Sequence, residues 1–115
     1  MTTAREGRDA ASRGAARHLY PAIDEAGLVA ARACDRLVAA ARTAEAARWL
    51  AYFEPIPDRL RDDAIGDLRR TALRARAAYG PKDSVRDVLP EDVTEPFLDA
   101  IDRLLKALAK REVGG

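Results

Sequence analysis

The stretch TEPFLDAIDRLLKALAK (residues 94–110) decides how this chain folds. Phe97, Leu98, Ile101, Leu104, Leu105 and Leu108 recur every three or four positions. On an α-helix that spacing gathers them on an arc of about 120°. Asp99, Asp102, Arg103, Lys106 and Lys110 fall on the far side. Asp99–Arg103 and Asp102–Lys106 stand at i, i+4 with the acid first, the favourable order. Basic residues in the last turn complement the negative end of the helix dipole. A helix is expected near 94–111, opened by Pro90 or Thr94.

The same periodicity runs outward toward the N-terminus. Pro21 suits a first helical position, where its missing N–H is not needed. Ile23, Ala26, Ala30, Cys34, Leu37 and Ala41 then share one face, opposite Arg32, Asp35, Arg36 and Arg42. That predicts a helix near 22–42 with a small-residue face that permits close helix approach. The apolar stripe next moves half a turn to Ala46, Trp49, Leu50 and Phe53. A break near Thr43, with Thr43 as cap, and a second helix near 44–53 are favoured over one long helix that buries different faces along its length. Glu54-Pro55-Ile56-Pro57 ends it, because a residue before proline avoids the helical region. Ile65, Leu68, Ala72, Ala75 and Tyr79 mark a third helix near 60–79, with Asp62 and Asp63 at its positive end and Gly80-Pro81 as its stop. Ser84 is placed to cap a short turn over 84–89. Residues 1–18 hold only an alanine stripe, interrupted by Gly7 and Gly14, so a weakly ordered basic N-terminal arm is expected. The helical domain is assigned to 19–112 and a loose tail to 113–115.

Composition supports an all-helical reading. Of the 115 residues, 25 are alanine and 17 are arginine, both strong helix formers. Strand-like alternation is absent. About thirty large apolar side chains make a thin core, so close helix packing has to compensate. Seventeen arginines against three lysines resemble the usage of high-GC bacterial genomes. The formal net charge of +1 argues against a protein that coats nucleic acid indiscriminately. One cysteine excludes an internal disulfide and fits a reducing, cytoplasmic setting. No apolar run suggests a leader peptide or a membrane span.

Residues able to do chemistry are few. His18 is the one histidine and has no second ligand at helical spacing, so no metal site is expected. Cys34 sits on the small face of its helix and has no nearby base, so it reads as a buried small hydrophobe. Asp62-Asp63 and Glu91-Asp92 read as helix-start carboxylates. No phosphate-binding glycine loop exists. No acid–base or nucleophile set can be assembled, so neither an enzyme nor a cofactor is expected.

Two surfaces remain. The leading expectation is an all-α, four-helix bundle-like domain with short connections, serving as a small cytoplasmic interaction or regulatory protein. It would bind a protein partner or a second copy of itself, a dimer first of all. Trp49, Tyr52, Phe97, Ile101 and Leu105 are the candidate contact residues, because apolar area beyond what a thin bundle can cover marks a partner surface. The alternative is a nucleic-acid-binding regulator. Residues 69–86 carry six basic side chains against Asp83, and Arg69, Arg70, Arg74 and Arg76 are its candidate phosphate contacts. A helix-turn-helix pivoting on Gly66 is disfavoured, because that glycine comes too soon after the helix start.

Overall fold

The computed structural model describes residues 17–114. They form α1 (Pro21–Thr43), α2 (Ala47–Phe53), α3 (Ile56–Asp62), α4 (Ile65–Ala77), a 3₁₀ turn (Val85–Asp87) and α5 (Glu91–Gly114). No strand occurs among the described residues. The fold is an all-α bundle, as the periodicity dictates. The expected arm lies outside the described residues as far as residue 16. Its last two members, Arg17 and His18, are described.

α1 is the central helix and packs against α5, α3 and α2. Pro21 opens it and Asp24 lies in its first turn. Ile23, Ala30, Cys34, Leu37 and Ala41 are buried as expected. Gly27, Ala31 and Val38 are buried too, because α3 covers the flank they occupy. The helix ends in a Schellman motif. The Ala46 N–H donates to the Ala41 carbonyl at 2.9 Å and that of Glu45 to Arg42 at 3.2 Å. Glu45 takes the left-handed position at φ 55° that glycine usually fills. The break is therefore where expected, but Thr43 ends α1 instead of capping α2. Ala46 holds the N-cap position of α2 with no side-chain bond.

The proline pair acts differently from the sequence expectation. Pro55 and Pro57 do not merely stop α2. Glu54 stays helical at φ −52°, ψ −41°, and Pro57 falls in the first turn of α3, where it loses no hydrogen bond. The helix expected over 60–79 is thus two, α3 and α4, separated where Asp63 and Ala64 turn extended. Asp63 does not cap α4. Its carboxylate accepts from Thr71 Oγ1 at 2.5 Å instead.

That break strands backbone carbonyls at the end of α3, and Arg17 satisfies them. Its Nη1 donates to Leu60 O at 2.8 Å and to Asp63 O at 3.2 Å. Its Nε donates to Asp24 Oδ1 at 2.8 Å. Arg17 is 3% exposed. The room for it exists because residue 27 is glycine: a Cβ there would lie 2.6 Å from Arg17 Nη2 and 3.1 Å from Leu60 O.

Ser84 caps the 3₁₀ turn as expected, its hydroxyl accepting from the Arg86 N–H at 3.2 Å. α5 starts at Glu91, three residues before Thr94, and tolerates Pro96 near its start. The core joins Phe53 and Phe97, edge to face at 5.8 Å, with Leu37, Ile56, Leu60, Leu68, Ile101 and Leu104 around them. Ile65, Leu68, Ala72 and Ala75 of α4, with Tyr79 just beyond its end, are buried as read from the sequence.

Candidate protein-binding face

The expected contact residues divide once they are placed. Trp49, Phe97 and Ile101 are buried, and in this conformation they offer no area to a partner. This corrects their assignment to a contact surface. The arc that signals α5 is filled by α1 and α4 from within the chain. Leu105 is half-buried against the same core. Tyr52 is half-buried on α2, with its hydroxyl donating to Arg74 O at 2.5 Å and the Arg74 guanidinium 5.0 Å over its ring. The five residues do not form one patch.

Exposed apolar side chains collect elsewhere. Among the described residues the large ones are Leu19, Tyr20, Val29, Leu73 and Val88. Leu19, Tyr20 and Val29, at 73%, 39% and 37% exposure, lie along one crease between the first half of α1 and the second half of α5. Its geometry follows from helical spacing. Ala22, Ala26 and Val29 stand at i, i+4, i+7 on α1; Ala100, Arg103 and Ala107 stand at i, i+3, i+7 on α5. One end, lined by Leu19, Tyr20, Pro21, Ala22, Ala107 and Arg111, is an open hollow of about 350 Å³. A neighbouring hollow of about 210 Å³, which shares Ala22 with the first, is lined by Glu25, Ala26, Val29, Ala100 and Arg103. Small side chains on both helices give the crease its floor. Arg111 stacks 4.9 Å over the Tyr20 ring and holds one wall. Sequence reasoning missed this face because alanines at positions 22, 26, 100 and 107 look like packing residues, and Leu19 and Tyr20 precede the helical pattern.

The basic cluster is on the surface but largely engaged. Arg69, Arg70, Arg74 and Arg76 are exposed on α4. Arg76 pairs with Asp102 of α5 at 2.9 Å, Arg70 approaches Asp67 at 4.0 Å, and Arg74 stacks on Tyr52. Leu73, 48% exposed, lies among them.

Two buried ionisable groups are held in their neutral forms. Cys34 is fully buried, and burial, with the charge of Asp35 adding, pushes its thiol well above the ordinary range. Burial likewise raises Tyr79, whose hydroxyl donates to Thr94 O at 2.6 Å. His18 is exposed. Among the described residues no group of three or more His, Cys, Asp or Glu is placed to hold a metal ion. None of their helices is long and apolar enough to cross a membrane. No family model matches the chain, and no curated protein and no solved structure matches it either.

Proposed function

We propose that this protein is a small, non-enzymatic cytoplasmic interaction or regulatory protein that works by docking another polypeptide, or a second copy of itself, into the α1/α5 crease. The observation that carries this reading is that exposed Leu19, Tyr20 and Val29 line two adjoining apolar-floored hollows that meet at Ala22. Monomeric proteins scatter exposed apolar side chains singly, and contiguous ones mark contact sites. The test is a comparison of the wild type with Val29→Arg, which puts a charge in the groove without disturbing the core. Chemical crosslinking in the native host, read by mass spectrometry, should yield one partner or a homodimer with the wild type and lose it with the variant. A wild-type protein that stays monomeric by light scattering at all concentrations, with no crosslink sensitive to Val29→Arg, refutes it.

A second reading rests on a separate observation. α3 and α4 are joined by two extended residues, and α4 presents Arg69, Arg70, Leu73 and Arg74 outward. A nucleic-acid-binding regulator would use that helix. It requires binding that weakens steeply with salt and that disappears in an Arg70→Ala/Arg74→Ala double variant. Binding that is absent, or indifferent to salt, discards it.

A further inference from the structure

We infer that the occupant of the α1/α5 crease is an amphipathic helix with acidic residues flanking its apolar stripe. This rests on the docking reading above and adds the chemistry of the partner. Length comes first. The crease runs beside Leu19 to Val29, just before and along the first half of α1, and Ala100 to Arg111 on α5, about ten residues of helix or ~15 Å. That suits roughly three turns of a docked helix, whose anchors would recur at i, i+3 or i+4, and i+7. An extended strand finds no free sheet edge among the described residues, whereas a helix laid in a crease between two helices packs ridges into grooves.

Charge comes second. The rim carries Arg103, Lys110 and Arg111 on the α5 side and Glu25 on the α1 side. Four arginines elsewhere on the surface pair with carboxylates: Arg42 with Glu54, Arg61 with Asp35, Arg76 with Asp102, Arg86 with Glu95. Among the residues whose side chains are described, no ion pair joins a carboxylate to Arg103 or Lys110, and Arg111 stacks on the Tyr20 ring. The groove therefore has an apolar floor and a net positive border. Acidic flanks on the guest complement that border, and lysine flanks would meet like charge. A second copy presenting the same border to itself has the same difficulty.

Three synthetic 16-residue peptides test this. Each has leucines at i, i+4, i+7 and i+11 and helix-forming alanines, with Glu, Gln or Lys at the flanking positions. Fluorescence anisotropy reads their affinity for the full chain. The Glu peptide should bind about tenfold more tightly than the Lys peptide, as two or three exposed ion pairs allow. The gap should close at high salt. Val29→Arg should abolish binding, and an Arg103→Glu/Lys110→Glu double variant, altered at exposed positions, should reverse the preference. Equal affinity for all three peptides overturns the acidic partner and leaves the docking groove standing. Concentration-dependent dimers broken by Val29→Arg, with no peptide bound, overturn it in favour of a second copy. No peptide binding and no dimer overturn both readings. Circular dichroism of each variant separates a lost fold from a lost contact.

Discussion

Replacing Gly27 with alanine should destabilise this protein, although alanine is the better helix former. At an open helical site that change gains about 1 kcal/mol. Here the new Cβ would lie 2.6 Å from Arg17 Nη2 and 3.1 Å from Leu60 O. The guanidinium can move aside, but only by giving up its bonds to Leu60 O, Asp63 O and Asp24. Hydrogen bonds to a charged group contribute roughly 1.5–3 kcal/mol each, while the ion pair adds less than about 1 kcal/mol because the Asp24 side chain is 38% exposed and screened by water. Against the propensity gain, a net loss of about 2–3 kcal/mol is expected. Urea unfolding followed by circular dichroism would show it as a midpoint lowered by roughly 1.5 M, for a slope of ~1.5 kcal/mol/M. Gly66 is the control, because a Cβ there meets nothing within 4 Å. Gly66→Ala should be neutral or stabilise by up to ~1 kcal/mol. In an Arg17→Ala background the cost of Gly27→Ala should largely vanish, a coupling of ~2 kcal/mol. If Gly27→Ala stabilises as Gly66→Ala does, Arg17 does not hold the end of α3.

Glu45 sits at φ 55°, so Glu45→Gly should stabilise by roughly 0.5–1 kcal/mol, read as a raised urea midpoint; a loss would contradict the Schellman ending. Phe97→Ala should cost about 3–5 kcal/mol in the same assay, as befits a core residue; a stable variant with altered binding would restore Phe97 to a contact role. Two hydrogen bonds from Arg86 hold the Glu95 carboxyl below its ordinary range. A carboxyl depressed in the folded state adds stability that is present above its unfolded pKa and is lost as pH falls through the folded one. The stability difference between wild type and Arg86→Ala should therefore hold steady from pH 7 to about 5 and shrink on further acidification; a difference unchanged at pH 3 refutes the pair.

The parts legible in the sequence are those governed by period. The stripes of α4 and α5 name their buried residues directly, and Ser84 and Gly80-Pro81 mark local events that a short window contains. What stayed hidden depends on distance or on an exception. Arg17 meets Leu60 at a sequence separation of 43, and no spacing rule connects them. Glu45 occupies a glycine's place, so the stop after α1 carries no glycine signal. Pro57 was read as an ending because proline forbids what precedes it, yet a first turn accepts it. The α1/α5 crease was concealed for a related reason. Its floor is alanine, which looks the same in a sequence whether it touches another helix of its own chain or water. The large apolar residues of the α5 arc are spread widely enough to suggest a surface, and the fold buries all of them but half-buried Leu105.

The lone thiol of Cys34 gives the molecule a built-in stopwatch. Sealed in the interior and held protonated, it has no route to an alkylating reagent or to a second thiol while the helices stay closed. The rate at which iodoacetamide labels it thus reports how often the bundle breathes, and dilute oxidant should leave the native protein uncrosslinked.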